Sequence, residues 1–395
     1  MTHPSRERRA ATDGRGHQRV SPPVRRLRLP GRSCHFPPRA GGSLLVTSAT
    51  VCSNAFSAAG DDTTTVPAVR LHHTSGAELV VALRGAAVLA WRAPWRGADG
   101  VERVEDLVDG YADEAEVAAH DAARSALMAP FVNRLAGGEY VFDGVRHHVP
   151  PVLPWEPLTM HGFARTLDWT VVEGAGESEV AARDAAVVDG AERESVTLRT
   201  VVHADAHAGY PFALVLEVRY VLGAGSLDVM LRARNVGTTA APVSLGWHPY
   251  LRVPGHGTVD ALELTVPARR AVVTDAGMLP LAGEAAFGAI DGVGPLPLAG
   301  ASLDHAFADL RVDADGRART VVRDPATGQG LAVWQERGLV HVYTGDGLAR
   351  RGRAAIAVEP VETLTDAFNR PDCAAHVRLE PGAVREFAFG VEVLA

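Results

Sequence analysis

An all-β chain folded as a large antiparallel sandwich is what this sequence predicts, and three features carry the prediction. Twelve short segments from Glu78 onward alternate apolar with polar residues or run through β-branched ones. Turn pairs and triplets such as Asp143-Gly144, Gly223-Ala224-Gly225 and Asp346-Gly347 separate many of them. Helical periodicity is confined to one stretch, Asp113–Ala126. Many strands with almost no helix argue for two antiparallel sheets packed face to face.

In chain order, the expected strands begin with Glu78–Leu83 and Tyr140–Phe142, the second leading into an Asp-Gly turn. Ser195–His203, Ala213–Leu222 and Ser226–Ala233 follow as three long β-branched runs. Val243–His248 and Ala261–Val266 come next, then Thr320–Val322, Leu331–Gln335, Val340–Thr344, Ala354–Glu359 and Arg385–Val393. Pro249 and Pro360 are expected to end the strands they follow, because proline cannot donate to a ladder. No apolar run approaches the roughly 18 residues that a membrane-spanning helix needs.

Residues 1–62 read differently. Within residues 1–60, ten arginines stand against only Glu7 and Asp13, a local charge of +8. The whole chain carries −8, so the remainder carries −16. Prolines interrupt this head and neither period is evident, so it is expected to be a disordered tail ahead of a single domain over 63–395. Leu44–Phe56 is too interrupted by polar residues for an export signal.

All 39 Lys+Arg residues are arginine. Schiff-base catalysis, a pyridoxal anchor and a Walker P-loop each require lysine and are excluded. Cys34, Cys52 and Cys373 make no disulfide framework, which points to the cytoplasm. His147 and His148 face opposite sides of a strand, and His203 with His207 lacks the metalloprotease glutamate, so no metal is expected.

Two strand ends carry a titratable group behind small residues. In Val243–His248 the period of two sets Ser244, Gly246 and His248 on one face and Val243, Leu245 and Trp247 on the other. In Ala354–Glu359 it groups Ala355, Ala357 and Glu359 against Ile356 and Val358. A histidine and a glutamate that each face open space form an acid/base pair. Asn133-Arg134 and His161-Gly162 lie in turn-rich sequence.

Together these segments resemble the aldose 1-epimerase (galactose mutarotase-like) family. The resemblance rests on seven segments in order: Asn133-Arg134 with the hairpin to Gly144, His161-Gly162-Phe163-Ala164-Arg165 with Trp169, and Gly246-Trp247-His248-Pro249-Tyr250. Leu303-Asp304, Tyr343-Thr344-Gly345, Glu359-Pro360 with Asp366-Ala367-Phe368-Asn369, and Pro381-Gly382 complete it over about residues 66–395. It implies a galactose mutarotase-like supersandwich with a sugar in an open cleft, acting without cofactor or metal. Carried over by motif, Glu359 is the base, His248 the acid, and Arg134, His161, Asp304 and Asn133 bind substrate. The implied reaction interconverts the α and β anomers of a free aldose of the galactose or glucose type. Glu362 competes with Glu359 for the role of base, and lies where a loop carboxylate is expected to be solvated. Trp155, Trp247, Phe163 and Phe307 are candidate stacking faces.

Two other readings stay open. A hexose-6-phosphate 1-epimerase would need an arginine cluster, with Arg165 and Arg134 as members. A non-catalytic carbohydrate-binding protein of the same fold would need neither base nor acid. The expected partner is a small sugar, with no nucleic acid or membrane, on a monomer or weak dimer.

Overall fold

The computed structural model describes residues 66–172 and 193–395, together with the backbone of Thr50–Cys52. Strands dominate, and every strand pair is antiparallel. One sheet has nine strands, and its centre runs Ala318–Arg323, Gly330–Gln335, Val384–Leu394, Ser226–Asn235, Leu214–Leu222. The facing sheet runs Phe287–Ala289, Ala268–Val272, Asp304–Leu310, Leu339–Tyr343, Ile356–Val361, Gly246–His248, Ala126–Met128. A third sheet of five strands holds the N-terminal part, from Thr50–Cys52 to Glu102–Asp106.

Alternation decides what lies between the two large sheets. Val340, Val342, Ile356 and Val358 point inward from one, and Phe387, Phe389 and Val391 from the other, all in one continuous core. Trp247 stacks on Phe389 across the gap, ring centroids 5.6 Å apart. The opposite face of the strand Ile356–Val361 carries Ala357 and Glu359, as its period of two requires.

Three expectations need correction. One of the two proline-marked strands continues, since Ile356–Val361 runs through Pro360; Gly246–His248 does end at Pro249, and Tyr250–Leu251 resumes the same register beyond it. The proline costs one donor, and the pairing on either side holds the strand. The helix is shorter, Glu114–Ala119, capped by the Asp113 side chain accepting from Glu116 N at 2.8 Å. It stops because His120 turns left-handed at φ 50°. The expected tail contains a strand, Thr50–Cys52, whose β-branched Thr50 and Val51 pair with Arg70 and Val69. The rest of that tail lies outside the described residues. Among the described residues, no helix is long and apolar enough to cross a membrane.

Candidate active site

Strand register brings the titratable residues into a row. Gly246 pairs with Val361 and Tyr250 with Ala357, so His248 stands opposite Glu359. On the other side Glu359 pairs with His341, and His341 with Ala306. Ala271 pairs with Phe307, which sets Val272 opposite Ala306. His248 in turn faces Ala126. The row therefore reads Ala126, His248, Glu359, His341, Ala306, Val272, one residue per strand at about 4.8 Å spacing. A second row on the same face reads Tyr250, Ala357, Tyr343, Asp304.

Contacts follow from this placement. His248 Nε2 lies 3.3 Å from Glu359 Oε1. The other carboxylate oxygen, Glu359 Oε2, is buried and has no hydrogen-bond partner in the protein, and neither has His248 Nδ1. Such groups are rare in folded proteins, since an unpaired buried polar atom costs about 1–3 kcal/mol. His341 Nε2 meets Asp304 Oδ1 at 2.7 Å, reaching diagonally between the rows. Arg134 Nη2 stands 4.0 Å from Asp304 Oδ2. The His161 ring packs edge-on against His248, centroids 5.2 Å apart.

The two flanking segments are held by strained backbone. Asn133 and His161 both take positive φ, 50° and 61°, and His161 N donates to Asn133 O at 2.9 Å. Asp366, also left-handed, donates its N–H to Arg134 O. Gly162 is required at its place: a Cβ there would lie 2.1 Å from Ala129 O, which accepts from Phe163 N and Ala164 N. The Asn133 side-chain oxygen is engaged by its neighbour: Oδ1 accepts from Arg134 N at 2.8 Å and from Arg134 Nη1 at 3.3 Å, which orients the arginine.

Electrostatics separate the histidines. Burial lowers the pKa of His248, and the adjacent Glu359 charge limits the fall. Burial together with the neighbouring His248, Arg165 and Arg134 pushes His161 well below the usual imidazole range. Burial works against charging His341 too, but Glu359 and Asp304 outweigh it and raise its pKa. Asp304 is lowered: burial opposes this, and His341 and Arg134 overcome it.

Glu362 is neither solvated nor in the cleft. It shares the parity of Ile356 and Val358, so it turns to the core side, where it is 5% exposed. Its Oε2 accepts from Leu245 N at 3.2 Å and its Oε1 from Arg337 Nη2 at 2.9 Å. Arg165 is also buried, its Nη2 bonded to both oxygens of Glu156 at 2.7 Å. Of the four aromatic candidates, Trp247, Phe163 and Phe307 are core, and Trp155 alone is exposed.

His341 was missed in the sequence. The signal was present: it stands between Val340 and Val342 on the face away from the core, one strand before Glu359.

The comparisons agree with this architecture. The family model for aldose 1-epimerase matches residues 67–391. The chain belongs to the aldose 1-epimerase family. The galactose mutarotase of Homo sapiens is 26% identical over 302 residues, covering 72% of this chain and 81% of that protein. An uncharacterized protein of Escherichia coli (strain K12), YihR, is 28% identical over 252 residues, 62% of this chain and 71% of that protein. Among solved structures, the fold matches that of the aldose epimerase homologue from C. elegans with a TM-score of 0.66 at 18% identity, covering 84% and 99% of the two chains. Galactose 1-epimerase from Lactobacillus acidophilus NCFM gives 0.65 at 15% identity, covering 88% and 99%.

Proposed function

We propose that this epimerase-family chain is an active mutarotase, interconverting the anomers of a free aldose of the galactose or glucose type. The observation that carries the reading is Glu359 Oε2: a buried, unpartnered carboxylate oxygen beside a histidine whose own Nδ1 is unpartnered. Core side chains such as Trp91 and Trp247 also leave a buried N–H unpaired, and what sets this site apart is that the two unpaired atoms belong to an adjacent carboxylate and imidazole.

The chemistry follows atom by atom. Glu359 takes the proton from the anomeric hydroxyl, the C1–O5 bond breaks, and O1 becomes the aldehyde oxygen. His248 gives its proton to O5. Rotation about C1–C2 presents the other face of the aldehyde, O5 attacks it, and both protons return. A histidine with lowered pKa releases its proton readily, which suits the acid role. Arg134 and His161 donate to sugar oxygens, and Asp304 accepts from a hydroxyl. The cycle is redox-neutral and returns both residues to their starting states.

Arginine placement favours free sugars over 6-phosphates. Arg165 is locked to Glu156, and Arg134 faces Asp304, so neither is a free phosphate ligand. Polarimetry of anomer equilibration across free and phosphorylated hexoses tests the proposal. Galactose or glucose should exceed its 6-phosphate in kcat/KM by at least about ten-fold. The reverse preference would replace this reading with the phosphate one, and equilibration of neither would leave only binding.

A further inference from the structure

The catalytic row does not end where a sugar ring would. Beyond His341 it continues through Ala306 to Val272. A bay opens over that end, lined by the carbon of Val272, Met278, Pro280, Ala306 and Leu364 and by the polar side chains of Thr274, Asp304, His305, His341 and Thr365. Its outer wall is built and anchored. Thr274 bridges to Pro280 across the turn, and Arg370 Nη1 donates to Pro280 O at 3.2 Å and to Leu281 O at 2.8 Å.

The direction of the row says which part of a substrate reaches this bay. On the mechanism above, O5 lies against His248 and O1 against Glu359. The carbon next to C1 on the side away from O5 is C2. The C2 substituent therefore points past Glu359 towards His341, Asp304 and the bay. A plain hydroxyl is satisfied by Asp304 and stops there. An acetamido group carries its methyl carbon about 2.5 Å beyond the position of that hydroxyl oxygen, so its N–H meets Asp304 while its methyl enters the bay that Asp304 itself lines. The lining suits that group: side-chain carbon from Val272, Ala306, Met278 and Leu364, a hydroxyl on Thr274, and no arginine. A charged substituent would meet groups of both signs there, Asp304 beside His341 and His305, and so no net complement.

We propose that this bay is a subsite for a 2-acetamido group, so that the protein takes 2-acetamido-2-deoxy aldoses as substrates. The placement of C2 rests on the epimerase reading, and the test separates the two. Calorimetric titration compares N-acetylgalactosamine with galactose and N-acetylglucosamine with glucose, without any need for turnover. The acetamido sugar should bind tighter by about four-fold or more, the gain from burying one methyl. Ala306→Leu, which fills the bay, should weaken it at least about ten-fold and change the parent sugar far less. Met278→Ala, on the outer turn, should weaken it several-fold and serves if the first variant folds poorly. Weaker binding of the acetamido sugar by the wild type, or equal loss of both sugars in the variants, overturns the proposal. Tight acetamido binding with no anomer equilibration by polarimetry would keep the bay and remove the epimerase reading.

Discussion

Glu359 and Glu362 lie three residues apart on adjoining chain, both almost fully buried, and their surroundings differ in kind. Glu362 has every need met: a backbone N–H from Leu245, the guanidinium of Arg337, and His376 and Arg385 at 3.8 and 3.9 Å. Burial alone would raise its pKa, and these cations reverse the effect. Glu359 has one histidine at 3.3 Å and one oxygen with nothing. A carboxylate surrounded by donors is held as a permanent anion and is a poor base. One with a buried oxygen that no protein group occupies keeps an acceptor site in reserve. The odd separation of the two residues along an extended chain sends them to opposite faces, and that alone divides structure from chemistry.

Substitutions should sharpen the contrast. The largest effect is expected at the cleft: Glu359→Gln and His248→Ala should each lower kcat at least about 100-fold, with melting temperature little changed in the first. Polarimetric progress curves with matched circular dichroism read this out, and near-wild-type turnover in either variant would remove that residue from the mechanism. Glu362→Gln should do the opposite. It removes the charge that Arg337, His376 and Arg385 all face, leaving Arg337 with Glu336 as charge partner, and should cost about 1–3 kcal/mol of stability, reduced because Arg337 is 37% exposed. Its rate should fall less than about ten-fold. A large rate loss at unchanged stability would exchange the roles of the two glutamates.

The smallest effect concerns His341, which flanks Glu359 from the other side. Its positive charge lowers the pKa of His248, in the same direction as burial and against Glu359. The active form on the proposed mechanism has His248 protonated, so activity falls as pH rises through that pKa. His341→Gln removes the opposing charge, raises the His248 value and should move the alkaline limb of the kcat/KM profile upward, by up to about one unit. A limb that stays in place, or moves down, would show that the two rings are not coupled.

Much of this was legible in the sequence because strand period is a strong local signal. The two faces of Val243–His248 and of Ala354–Glu359 are as alternation required, with Trp247, Ile356 and Val358 in the core and His248 and Glu359 on the outer face. What failed was inference from single residues. Pro360 was expected to end its strand, and the same assumption placed Glu362 in a solvated loop. The ladder from Val340 to Pro360 is held by its neighbours instead, and Glu362 continues the alternation into the core. The diagonal from His341 to Asp304 was illegible for another reason. Register between strands 37 residues apart is set by sheet closure, which no local window contains. The local bond from Arg134 to Asn133 Oδ1 was equally outside any periodicity argument.

The position of strand Val384–Leu394 carries a consequence for the edges of the sheet. It lies at the middle of the nine-stranded sheet, between Gly330–Gln335 and Ser226–Asn235, although it comes after both in the chain. Without that strand the sheet would fall into two halves, each with an unpaired inner edge. Such edges recruit strands from other chains. Insertion of this strand closes both edges at once and seats Phe389 under Trp247, directly behind His248. One strand therefore both joins the halves of the sheet and backs the floor of the candidate site.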